Sequence, residues 1–189
     1  NGIEFDKETV KNYEIGIKGS VEGGRLTFAL AGFIADYQDF QINQFRDLGG
    51  GRTAIVIGNA ATVQTKGIEF EMTARPLRGL TLAGGIGFLD ATYDNLPLDP
   101  TTIVSGTLPN APDAQASGSI EYETGVGGDM MLRGNFTYTY RGNYFSTVTN
   151  GRQVTVGSPA GPVTIPFDRV RGFAYADARL ALGAESGRW

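Results

Sequence analysis

The sequence predicts an all-β chain, a segment of an antiparallel up-and-down transmembrane β-barrel of about seven strands. Three observations carry that prediction. Apolar and polar residues alternate with a period of two over stretches of about 10–14 residues, longer than the five or six usual in soluble strands. Short, turn-rich connections alternate strictly with long polar ones. Finally, no apolar run approaches the roughly 18–20 residues that a membrane-spanning helix requires, and lipid admits only helices or closed sheets.

The alternation is legible strand by strand. Between Asn12 and Val21, residues Tyr13, Ile15, Ile17, Gly19 and Val21 oppose Asn12, Glu14, Gly16, Lys18 and Ser20. From Gly67 to Arg75, Ile68, Phe70, Met72 and Ala74 oppose Glu69, Glu71, Thr73 and Arg75. From Asp113 to Glu123, Ala114, Ala116, Gly118, Ile120 and Tyr122 oppose Gln115, Ser117, Ser119 and Glu121. From Met130 to Arg141, Leu132, Phe136, Tyr138 and Tyr140 oppose Arg133, Asn135, Thr137 and Thr139. A last strand, Val170–Leu182, sets Arg171, Asp177 and Arg179 against alanines and leucines. Two further segments, Arg25–Gln38 and Leu80–Asp94, carry apolar residues on both parities. A β-bulge at Gly32 or at Gly84–Gly85 is the expected cause, because strand glycines often mark such a switch.

The connections set the topology. Glu22–Gly24, Pro76–Gly79, Gly125–Asp129 and Gly183–Arg188 are tight, whereas Phe45–Gly58, Asn95–Pro112 and Ser146–Arg169 are long. A meander then gathers its tight turns at one end, expected to be periplasmic, and its long, irregular loops at the other, expected to be extracellular. Aromatics near strand ends (Tyr37, Phe40, Tyr93, Tyr122, Tyr138 and Tyr140) are expected to form interfacial girdles. A lipid-facing Arg or Lys at midplane costs about 2–4 kcal/mol, and the clean alternations avoid it. A soluble β-sandwich binding module also alternates, and a small closed barrel of about eight strands with a structural or adhesive role fits the same pattern. Both remain open alternatives at this level.

Composition narrows the chemistry. A net charge of −4 with scattered basic residues gives no nucleic-acid footprint. The chain has neither cysteine nor histidine, which removes thiolate and imidazole metal ligands and the commonest general base. No enzyme is expected and no cofactor is implied. Gly49-Gly50-Gly51-Arg52 lacks the lysine and hydroxyl of a phosphate loop and reads as a loop tip. Glu69 with Glu71, and Glu121 with Glu123, are paired carboxylates on one strand face; a hydrated, mixed-charge wall explains them without acid–base chemistry. Asp94, Asp99 and Asp113 flank a proline-rich loop without EF-hand spacing. Asn135-Phe136-Thr137 matches a glycosylation acceptor but sits mid-strand. Arg141, Asn143, Tyr144 and Arg152 are candidates for a polar rim or a ligand contact at the mouth. No catalytic, cofactor-binding or metal-binding residue is assigned, and the ligand-binding residues are left open.

Several stretches carry a family likeness. Tyr13-Glu14-Ile15-Gly16-Ile17-Lys18, Ala31-Gly32-Phe33 through Asp36-Tyr37-Gln38-Asp39, and Gly67-Ile68-Glu69-Phe70-Glu71 resemble successive strands of TonB-dependent receptors. Leu80 to Tyr93, Leu108-Pro109-Asn110-Ala111-Pro112 and Asp177-Ala178-Arg179-Leu180 continue the resemblance in family order. The likeness implies a barrel of about twenty-two strands with a plugged lumen. It also implies import of a small-molecule nutrient complex, such as a ferric siderophore, haem, cobalamin or an oligosaccharide, across the bacterial outer membrane. Force would come from a TonB complex acting through a separate plug domain. On this reading residues 1–189 are one partial barrel domain, with the plug before Asn1 and the final strands after Trp189, and the outer-membrane lipid is a partner of the wall.

Overall fold

The computed structural model describes residues 7–49, 52–99, 102–148, 150, 153–154, 163–164 and 168–184. Arg152 and the centre of the Gly49–Arg52 run lie outside them. The strands are β1 (Thr9–Val21), β2 (Leu26–Gly49), β3 (Arg52–Ala74), β4 (Leu80–Asp99), β5 (Thr102–Thr107), β6 (Ala114–Gly127) and β7 (Met130–Arg141), then four two-residue pieces and β12 (Phe173–Ala184). Those pieces are β8 (Tyr144–Phe145), β9 (Gln153–Val154), β10 (Val163–Thr164) and β11 (Arg169–Val170). One antiparallel sheet runs in the order β1-β2-β3-β4-β6-β7-β12, with β5 folded back on β4. The expected seven-strand meander is present, and the sheet is an open piece of wall rather than a closed barrel.

Direct cross-strand partners share a face, so the register assigns both faces. One row runs Ile17, Leu30, Phe70, Ile86, Ala116, Tyr140 and Ala174; the next runs Gly19, Phe28, Met72, Gly84, Gly118, Tyr138 and Ala176. This face is apolar from edge to edge and it is bare: Ile15 is 82% exposed, Ile68 57% and Leu180 75%. Among the described residues no second sheet covers it. A sandwich would bury this face; here the buried apolar residues, among them Ala35, Val63, Ala91 and Tyr93, lie on the other one. The apolar face is therefore a lipid-facing belt.

The belt is also inclined. Partners traced from Val21 through Leu26, Ala74, Leu82, Ile120 and Phe136 end at Ala178. Val21 closes the belt on β1, whereas on β12 it continues below Ala178 through Leu180 and Leu182 to Ala184. At about 3.3 Å per residue that offset is ~20 Å, and the strand spacings crossed sum to ~29 Å at about 4.8 Å each. The inclination is about 35°, as a tilted transmembrane barrel requires.

Toward the long-loop end the polarity of both faces inverts. Outward positions change from Tyr13, Ile34, Ile68 and Phe88 to Lys11, Asp36, Lys66 and Asp90, with Lys66 Nζ 3.1 Å from Asp90 Oδ2 and Gln64 donating to Asp36 at 2.8 Å. Inward positions change from Glu69, Glu71, Gly85 and Gly87 to Val63, Ala35, Ala91 and Tyr93. Below the inversion lipid lies outside and water inside; above it water lies outside and a packed core inside. This corrects the expected bulges: β2–β3 pairing is unbroken from Leu26 to Tyr37, and β3–β4 and β4–β6 pairing runs unbroken through Gly84 and Gly85. The parity of apolar residues switches because the surroundings do, not because the backbone slips. The bulges that do occur lie higher, around Phe40 and between Tyr93 and Leu96.

Two further expectations are corrected. Phe45–Gly58 is not a loop, since β2 and β3 remain paired to Gly49 and Arg52. Asn95–Pro112 is largely the β4–β5 hairpin. The proposed girdle also divides: Tyr122, Tyr138 and Tyr140 do face outward, but Tyr37, Phe40 and Tyr93 belong to the inner core.

Candidate ligand-facing surface

The inward face is the concave one, because a single hollow of about 670 Å³ is lined by Lys18 on β1, Glu71 on β3, Ser117 on β6 and Thr139 on β7. Its middle is small and polar. Toward the loop end, Ala61, Val63, Tyr93 and Leu96 form a buried cluster against Tyr37, Phe40, Val104, Leu108 and Val148. These residues come from β2, β3, the β4–β5 hairpin and the segment after β8, so they tie three long connections into one packed body.

Side-chain polar groups lock that body. Tyr93 Oη donates to the Val148 carbonyl. Asn150, at φ 49°, turns its amide onto β5: its Oδ1 accepts from Thr107 N–H at 2.6 Å and its Nδ2 donates to the Thr107 carbonyl at 3.0 Å. Gly106 makes room, because a Cβ there would overlap Asn150 Oδ1. At the base of the same connection, Asp168 is 2% exposed; its carbonyl accepts from Ser146 N–H at 2.7 Å and its Oδ2 from Thr147 Oγ1 at 3.1 Å.

The residues singled out from sequence fall as follows. Glu69 and Glu71 face the concave side, exposed, on β3; Glu121 and Glu123 do so on β6. Glu123 pairs with Arg133 (3.0 Å) and Glu121 accepts from Asn135 Nδ2 at 3.5 Å, so the second pair is tied into the wall. Asp94 sits on the outward face above the belt, while Asp113 lies lower, at the start of β6 beside Gly142. No metal-binding cluster forms among the described residues. Phe136 of the Asn135-Phe136-Thr137 triplet faces outward into the belt. Arg141, Asn143 and Tyr144 do gather: the Arg141 guanidinium stacks 4.4 Å from the Tyr144 ring centroid, and Asn143 Oδ1 accepts from Gly172 N–H at 3.0 Å. Arg141 Nε is buried without a hydrogen-bond partner. The sequence does not announce the inner core or the Asn150 clamp; their one trace in it is the aromatic set Tyr37, Phe40 and Tyr93, expected as a girdle and found packed inside.

A sheet with an inclined lipid belt on its convex face and a hydrated concave face defines the wall of a transmembrane β-barrel. The chain belongs to the TonB-dependent receptor-like β-barrel family, whose profile it matches over residues 1–186. That family comprises receptors and transporters of the bacterial outer membrane. Solved structures agree in fold. The ferric yersiniabactin uptake receptor FyuA from Yersinia pestis aligns with a TM-score of 0.67 at 18% identity, over 94% of this chain and 22% of that one. BauA, the ferric preacinetobactin receptor from Acinetobacter baumannii, gives 0.62 at 18% over 90% and 22%. The ferric-catecholate import receptor Fiu from E. coli K12 gives 0.60 at 20% over 95% and 22%. The chain thus spans about a fifth of the length of the structures it matches.

Proposed function

We propose that this chain forms part of the barrel wall of an outer-membrane active transporter, without enzymatic activity, that imports a small-molecule nutrient complex. A ferric siderophore is the first candidate, with energy delivered by TonB through a plug domain outside these residues. The observation that supports the reading most is the inversion of polarity along β1–β4. It fits a wall that crosses lipid and then rises above it as a rigid vestibule, where recognition is built on loops fixed to a scaffold. The named solved structures are siderophore receptors, which supports the cargo class.

The test is uptake by cells carrying or lacking the gene, supplied with a panel of radiolabelled ferric siderophores under iron limitation. The expected result is loss of one or a few substrates on deletion, and the same loss when tonB is deleted. Unchanged uptake across the panel, or a product absent from the outer-membrane fraction, would overturn the proposal.

A further inference from the structure

The connection after β7 leaves the wall on a limb, Asn143 to Asn150, whose every described residue is tied down. Asn143 Oδ1 accepts from Gly172 N–H at 3.0 Å, and its carbonyl accepts from Asp113 N–H at 3.4 Å. Tyr144 and Phe145 pair with Val170 and Arg169 of the returning limb, and the Phe145 carbonyl accepts from Asn110 N–H at 2.7 Å. Ser146 donates to the Asp168 carbonyl through both its N–H and its hydroxyl, and the Thr147 hydroxyl donates to the Asp168 carboxylate. Val148 offers its carbonyl to Tyr93 Oη and its side chain to the inner core. Asn150 ends the limb on Thr107.

These ties run to four separate places. They reach β4 at Tyr93, β5 at Thr107, the stretch between β5 and β6 at Asn110 and Asp113, and the returning limb from Asp168 to Gly172. Segments that open locally have few buried apolar contacts and many solvent-exposed hydrogen bonds. This limb has the opposite character. Lifting it would break its bonds to all four places together and strip Val148 from the cluster around Tyr93, which is 2% exposed.

We propose that the Asn143–Asn150 limb is a permanent strut of the mouth. It stays seated on β4 and β5 in every state of the uptake cycle, so cargo is admitted and passed inward without its movement. Motion that accompanies cargo capture is confined to other parts of the mouth. The strut rests on the transporter reading for the existence of a cycle, and on its own hydrogen bonds for its seat.

The chain's lack of cysteine allows the seat to be locked covalently. A Cβ on Gly106 would lie 3.1 Å from Asn150 Cγ, which puts the two Cβ atoms near the ~3.5–4.5 Å that a disulfide spans. The test is the Gly106→Cys/Asn150→Cys variant of the full-length protein, assayed for ferric siderophore uptake in its oxidised form and after an impermeant phosphine. The disulfide is expected to form in most folded molecules, and the oxidised protein to import within about twofold of the parent rate, because nothing it locks has to open. Two cysteines that stay unlinked in the folded barrel would overturn the strut. So would uptake that falls at least tenfold on oxidation and returns on reduction. Amide exchange in the unsubstituted protein reads the seat without cargo: the Thr107 N–H should exchange at least about a hundredfold more slowly than in an unstructured peptide. Exchange at the unstructured rate would overturn the strut whatever the transport result. A parent that imports nothing across the panel, with Thr107 protected, instead marks failure of the transporter reading.

Discussion

Asn150 takes the place of a strand beside Thr107, its amide oxygen accepting from the Thr107 N–H and its amide nitrogen donating to the Thr107 carbonyl. Nδ2 also donates to the Thr147 carbonyl at 3.2 Å, which closes the turn that presents it. A backbone edge is thereby capped by a side chain from a different connection, which joins the β4–β5 hairpin to the segment after β8.

Replacing Asn150 with Ala removes both bonds to Thr107 and the one to Thr147, and leaves a non-glycine residue at positive φ. Each lost bond to a part-buried backbone group costs about 0.5–1.5 kcal/mol. Amide exchange at Thr107 in the full-length protein is expected to accelerate about tenfold or more, with the strands in the lipid belt unaffected. Gly106→Ala should produce the same local effect by displacing Asn150, and Asn150→Gly a smaller backbone penalty with the same loss of bonds. Exchange at Thr107 that is unchanged in all three would remove the clamp.

Neighbouring residues on β3 test the two faces. Phe70 faces lipid and Glu71 the lumen. Phe70→Arg is expected to destabilise the folded barrel by about 2–4 kcal/mol, measured as a shift in the urea midpoint for folding into phospholipid vesicles. Glu71→Arg should change it by less than about 1 kcal/mol, because the lumen is hydrated. Equal costs at the two positions would contradict the assignment of faces.

The clean alternations on β1, β6 and β7 made their faces readable from sequence, because nearly every apolar side chain there, Met131 excepted, lies on the lipid-facing parity along the whole legible stretch. On β2 and β4 a single period-two rule failed. Leu82, Ile86 and Phe88 face lipid, while Ala91 and Tyr93, of the opposite parity, are buried on the inner face. One strand crosses two environments of opposite polarity, and sequence alone does not mark the boundary. The extra length of β2 and β3 was hidden for a related reason: outside the membrane a hairpin needs neither face strongly apolar. The Asn150 clamp joins residues 43 positions apart, a pairing that no local pattern encodes.

The β3–β4 turn depends on a backbone that only glycine adopts easily. Gly79 has φ 80°, and a Cβ there would run into the Glu123 carbonyl. Gly79→Ala should destabilise the barrel by about 1–3 kcal/mol through strain at this position and loss of the Glu123–Gly79 hydrogen bond. Gly128→Ala, at φ 57° but with open space around it, should cost less. The same urea midpoints rank the two, and a reversed order would show that β6 does not depend on this contact.

Sidedness is tested by chemistry that the chain itself makes clean, because it contains no cysteine. The long-loop end rises beyond the lipid belt and carries the packed vestibule; the other end has tight turns whose flanking strands need only a short link. The loop end is therefore expected to face the cell exterior. Ile103, 67% exposed on β5, and Asp129, exposed in the β6–β7 turn, lie at opposite ends of the sheet. With Ile103→Cys in the full-length protein, an impermeant maleimide should label intact cells. With Asp129→Cys, labelling should appear only after the outer membrane is permeabilised. Labelling of Asp129→Cys but not Ile103→Cys in intact cells would invert the barrel and with it the position of the packed loop end.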